Sequence, residues 1–231
     1  TGANQAANHK LFKGIVVPIR LYLGFIAVSV RKKTLSNTEQ MLCFEGTINE
    51  IAAAAFKYPK VYPSEIIKFD WLQHHHELRS YNPDISLIDL TKIPLTPQHG
   101  DLKPGNAVLC KAMIKLIDWE LYRENGSFLL DFVDYKFRMT FSEKGNSLEN
   151  YINWIKEYDR QIEDVLSGSD IKQLWLKSIF LLDRCQRTMH RLCMDSAWGR
   201  INAKSNFYKD NLQRVKLRFL SATETLSDIN K

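Results

Sequence analysis

Apolar residues cluster in short runs near the start of the chain and recur at three- and four-residue steps further on. That change of period predicts the order of elements. The stretch GIVVPIRLYLGFIAVSV over residues 14–30 is rich in β-branched and aromatic residues and is split by Gly24. It predicts two short strands, 16–22 and 25–30, around a tight turn. A basic, polar patch follows over 31–38, and then 41–56, with four consecutive alanines from Ala52, predicts a helix. Pro59 and Pro63 punctuate the chain. Ser64 then opens a predicted capped helix through Leu78, with Ile67, Trp71 and Leu78 on one stripe and Pro83 beyond its end. The segment 93–106 is rich in proline and glycine and predicts a loop. After it, the apolar runs 107–110 and 113–117, separated by Lys111 and Ala112, predict a hairpin. From about Leu148 onward the spacing is helical. Ile152, Ile155, Ile162 and Val165 precede a break at Gly168, and 171–193 and 205–220 predict two long amphipathic helices. The expected class is therefore α+β, with few strands and a helical second half.

Composition narrows the partners. With only 10 Gly and 7 Pro in 231 residues, collagen-like chains, flexible linkers and turn-dense all-β folds are disfavoured. Lys and Arg number 32 against 26 Asp and Glu, a net charge of +6. That excess suits an anionic partner such as a nucleotide, phosphorylated sugar or lipid, and no nucleic-acid motif accompanies it. Residues 14–30 come closest to a membrane span but are interrupted by Pro18 and Arg20, so no span is expected; peripheral membrane contact stays open. Cys43, Cys110, Cys185 and Cys193 are scattered with no CxxC pair, which predicts reduced thiols and a cytoplasmic location. His74, His75 and His76 are adjacent. On a helix they would point about 100° apart, so they predict an exposed polar face rather than a zinc site.

The candidate chemistry lies in Gln98-His-Gly-Asp-Leu-Lys-Pro-Gly-Asn106 and in Ile117-Asp118-Trp119-Glu120. The predicted hairpin would return the chain so that Asp118 sits beside Asn106. Their oxygens are hard donors of the kind Mg²⁺ takes. Asp101, left free, could accept a proton from an attacking hydroxyl. Metal, positioned nucleophile and charge neutralisation are what phosphoryl transfer needs.

This pattern, His-Gly-Asp-Leu-x-x-x-Asn followed by a strand and Ile-Asp-Trp-Glu, resembles the aminoglycoside phosphotransferase and choline kinase-like family. That family is related to protein kinases, whose catalytic loop reads H-R-D-L-x-x-x-x-N with a downstream D-F-G. The resemblance implies a protein-kinase-like α+β fold, with residues 1–35 a remnant of the small lobe and hinge and 36–231 a helical large lobe. It implies an ATP-dependent phosphotransferase in which Asp101 is the base and Asn106 and Asp118 hold Mg²⁺ and, through it, the nucleotide. His99 would brace the loop, Lys103 would lean toward the transferring phosphate, and Asp131 would anchor the loop from the following helix. Glu120 would touch metal or substrate, or cap a turn. The Gly-rich phosphate loop and the strand lysine of such kinases have no match here, and Lys10 and Lys13 lie outside any clear strand. The acceptor would be a hydroxyl of a small molecule, sugar or glycan. The basic run from Arg184 to Arg218 argues for a neutral or anionic acceptor over an aminoglycoside or choline. The alternative is a non-catalytic kinase-like binding or scaffold module.

Overall fold

The structure, a computed structural model, describes residues 2–16, 20–22, 25–27, 38–74, 83–110, 113–119, 121–141, 147–197, 202 and 205–229. It is mixed α+β, mainly helical, with small antiparallel sheets. The chain divides into two compact units, Thr1–Lys60 with Pro94–Arg138, and Val61–Ile93 with Met139–Lys231. Residues 2–16 and 38–60 thus share a unit with the predicted hairpin. The expected lobe boundary after residue 35 falls outside the described residues, as do His75, His76 and Glu120.

In the first unit the early strand pair is Arg20–Tyr22 against Phe25–Ala27, in the register Leu21 to Ile26. The helix Thr38–Ala55 buries Phe44, Ile48, Ile51, Ala52 and Ala55, a single stripe at helical spacing. The predicted hairpin forms from Ala107–Cys110 and Met113–Leu116, with Ala107 opposite Leu116. The N-terminal segment extends it. The Leu116 N–H donates to Ile15 O at 2.7 Å, and Val16 forms a parallel bridge with Leu116. Phe12, fully buried, sets its ring edge-on to Trp119 at 5.1 Å and Phe128 at 5.6 Å.

The helix Phe128–Phe141 carries the centre of this unit, and every residue from Phe128 to Phe137 is buried. A helix enclosed on all sides shows no polar stripe, so its charged residues need partners of their own. Lys136 meets Glu45 at 2.6 Å and lies over the Phe132 and Tyr135 rings. Burial, with the nearby Glu45 carboxylate, pushes the Tyr135 hydroxyl up to about 12.

The second unit holds the helices Leu148–Lys156, Arg160–Leu166, Gln173–Ala197 and Asn206–Ile229. Ser147 caps the first of these, and Asp159 caps the second by accepting from the N–H groups of Gln161 and Ile162. Trp154 packs edge-on to Phe180 at 5.9 Å and Trp71 to Phe219 at 5.7 Å. The helix expected from Ser64 to Leu78 is broken. One turn, Pro63–Ile66, ends at an extended Ile67, and a 3-10 helix follows at Asp70–His74. Ile66, Ile67, Trp71 and Leu72 are all buried, a pattern that one continuous helical stripe cannot bury together. Ser64 is not the cap either. Its N–H and hydroxyl donate to Asp89, while Tyr62 takes the cap position. Among the described residues no helix is long and apolar enough to cross a membrane.

Candidate active site

Every described residue of the predicted constellation belongs to the first unit. Thr96–Gln98 pairs antiparallel with Arg123–Gly126 and delivers the chain to His99. Gly100 then turns at φ +85, and a Cβ there would meet Leu121 O at 2.5 Å. Only glycine fits this position. The loop ends in the 3-10 turn Pro104–Asn106, which runs directly into the hairpin. The Ile117 N–H donates to Asn106 O at 2.9 Å, so the backbone of Asn106 lies against the residue that precedes Asp118. The expected approach of these two positions is therefore made through the main chain.

Two buried side chains hold the loop. Asp131 accepts from the His99 N–H and, at 2.9 Å, from the Gly100 N–H. Charge-assisted bonds of this kind are the stronger ones, and they are enclosed here. His99 is fully buried; its Nδ1 accepts from the Asp101 N–H at 3.3 Å and its Nε2 faces Ile117 O at 2.9 Å. Those two contacts assign the neutral tautomer with the proton on Nε2. Burial lowers the imidazole's pKa, against the raising effects of Ile117 O and of the Asp101 and Asp118 charges. A neutral ring thus ties the backbone of Asp101 to the backbone beside Asp118. The Trp119 ring lies 4.4 Å from it and donates its own N–H to Leu116 O.

The Asp101 carboxylate, 19% exposed, is engaged at both oxygens. Asn106 Nδ2 donates to Asp101 O at 2.9 Å and to Asp101 Oδ2 at 3.0 Å. Lys103 Nζ lies 2.5 Å from Oδ2, so the lysine that sequence aimed at phosphate rests on the carboxylate. Arg138 Nη2 lies 2.9 Å from Oδ1. Arg138 was missed by sequence reasoning. Its signal was the spacing Asp131, Asp134, Arg138, which puts all three on one side of the helix.

Asp118 takes φ +62, a left-handed backbone that non-glycine residues rarely adopt, and its side chain is exposed. Asn106 gives its amide N–H to Asp101, so Oδ1 is the side-chain atom it has to offer a ligand. Among the described residues no three His, Cys, Asp or Glu side chains gather at a metal position. An amide oxygen and one carboxylate still suit Mg²⁺, which keeps several waters and takes further oxygens from phosphates. Of the basic run, Arg187 pairs with Asp183 at 2.9 Å, Arg191 lies 3.7 Å from Asp195, and Arg218 is buried with its Nε on the Tyr151 hydroxyl. Arg187 and Arg191 are therefore set against carboxylates within the second unit. No protein-family model, curated protein or solved structure matches this chain.

Proposed function

We propose that this chain is a kinase-like phosphotransferase that moves the γ-phosphate of ATP to a hydroxyl of a small molecule, sugar or glycan. The observation that supports this reading is the tethering of Asp101. Its carboxylate is oriented by the Asn106 amide, on a loop whose backbone is gripped by buried Asp131 and His99. A turn held at this many points keeps one partly exposed carboxylate in a fixed place, as general-base catalysis requires.

In the reaction, the acceptor oxygen forms a bond to the γ-phosphorus as the bond from phosphorus to the bridging oxygen breaks. ADP leaves with that electron pair, and the hydroxyl proton passes to Asp101. Mg²⁺ bound through Asn106 Oδ1 and Asp118 would supply charge neutralisation at the phosphate oxygens. Lys103, beside Asp101, adds a cation to the same small region. One observation favours the alternative of a non-catalytic binding module: both Asp101 oxygens are already met by cations.

The test uses the full-length protein and an ADP-release assay against sugars, glycan fragments, choline and aminoglycosides. Asp101→Asn should lower kcat by about 10²–10⁴-fold while calorimetric Mg·ATP affinity stays near the parent value. Normal turnover by Asp101→Asn would remove the base assignment. Failure of the parent protein to bind Mg·ATP would favour the binding module.

A further inference from the structure

The helix Phe128–Phe141 touches the loop at two heights. Near its start, Asp131 holds the loop backbone; two turns later, Arg138 reaches the Asp101 side chain. Arg138 is itself fixed. Its Nε and Nη2 lie 3.0 Å and 3.2 Å from the two oxygens of Asp134, a carboxylate with no exposed surface. The same Nη2 lies 2.9 Å from Asp101 Oδ1. An exposed i,i+4 pair contributes little to stability, but here one carboxylate is enclosed and the cation is shared with a second.

Counting lone pairs shows what this sharing does. A carboxylate accepts about four hydrogen bonds, two at each oxygen. Oδ2 of Asp101 receives Asn106 Nδ2 and Lys103 Nζ, which fills it. Oδ1 receives Arg138 and, among the described residues, nothing else. Among the described residues, one acceptor direction is left, and it belongs to Oδ1.

We propose that Arg138 is a positioning residue for phosphotransfer: anchored on Asp134, it turns Asp101 so that Oδ1 is the atom that takes the acceptor's hydroxyl proton. This rests on the phosphotransferase reading above. The role needs a guanidinium. A planar fork can lie against Asp134 and still reach Asp101, whereas a lysine offers one nitrogen and no fixed plane.

Two measurements on the full-length protein test the proposal. The first is a double-mutant cycle of thermal unfolding with Asp101→Asn, Arg138→Gln and the pair, which reads the contact without any activity. The second is steady-state kinetics with the acceptor found above. The cycle should be non-additive. Arg138→Gln should lower kcat by about tenfold or more, with KM for ATP within about twofold of the parent, because Asp101 faces the acceptor and not the nucleotide. Free guanidinium should restore part of kcat in Arg138→Ala, and Arg138→Lys should stay slow. If Arg138→Ala does not fold, the slow turnover of folded Arg138→Lys carries the test. An additive cycle, an unchanged kcat, or full activity in Arg138→Lys would overturn the assignment. Coupling in the cycle without phosphotransfer by the parent protein would discard the reaction and leave only the ion pair.

Discussion

Asp131 and Lys177 are both enclosed charged residues, 0% and 1% exposed, one in each compact unit, and they act on different things. Asp131 reaches out of its helix to hold the N–H groups of a loop, whose next residue carries a partly exposed carboxylate. Lys177 reaches to Trp154 O at 3.2 Å and Glu157 O at 2.6 Å, the end of the helix Leu148–Lys156, and lies over the Trp154 ring. There a cation satisfies helix-terminal carbonyls and meets the negative end of the dipole. Lys177 seals helix against helix. Asp131 fixes irregular backbone that no ladder of hydrogen bonds could hold. The difference separates a scaffold from a candidate site: both bury charge, but one of them leaves a partly exposed carboxylate outside.

Asp131→Ala should have the largest effect. It removes the acceptor of two buried N–H groups, each worth about 1–3 kcal/mol when orphaned, so urea unfolding should show a loss of about 3 kcal/mol or more. Lys177→Met keeps an apolar stem on Trp154 and gives up two carbonyl contacts, for which about 1 kcal/mol is expected. Equal losses would erase the contrast between the units. Gly100→Ala comes next. Its Cβ collides with the Leu121 backbone in a left-handed turn, and a cost of about 2 kcal/mol or more should appear in the same unfolding assay.

A smaller effect of opposite sign is expected at Asp118. Glycine relieves the left-handed backbone there, so Asp118→Gly should gain about 1 kcal/mol in stability while removing the carboxylate proposed to hold Mg²⁺. A loss of stability would show that the conformation carries no strain. The smallest effect concerns pH. In the unfolded chain His99 takes its proton near 6.5, and in the folded chain at lower pH. Between those values the unfolded chain binds more protons, so stability falls as pH drops below about 6.5. In His99→Gln, unfolding midpoints between pH 7 and 5.5 should show a shallower slope than the parent.

The helices Thr38–Ala55, Gln173–Ala197 and Asn206–Ile229, the hairpin Ala107–Leu116 and the loop that carries His99, Gly100, Asp101 and Asn106 were legible because each has a local signature of period or turn chemistry. The break at Ile67 was not, because tertiary burial of neighbouring apolar residues overrides a capped helical pattern. Asp131 was reached only through resemblance, and Arg138 not at all. Both sit on a helix buried on nearly every side, where no apolar stripe marks the helix and only the spacing Asp131, Asp134, Arg138 hints at a shared face. The free Asp101 expected from sequence is instead met at both oxygens, since loop spacing says nothing of a cation delivered from another element.

The docking of the N-terminal segment on the hairpin also sets an order of events at the ribosome. Lys115 and Gly14, which meet there through Nζ and a backbone carbonyl, are 101 positions apart. The chain leaves this unit after Lys60 and rejoins it at Pro94, where the Leu95 N–H bonds Pro59 O at 2.7 Å. At about 5–20 residues per second, the helix Thr38–Ala55 is synthesised roughly 4–17 s before Arg138 is added. Until Trp119, Phe128 and Tyr135 are added within that interval, Phe12 and Phe44 lack the rings that later pack against them. The unit that carries the candidate site therefore closes only when residues up to Arg138 have been added, and its first half waits for that point.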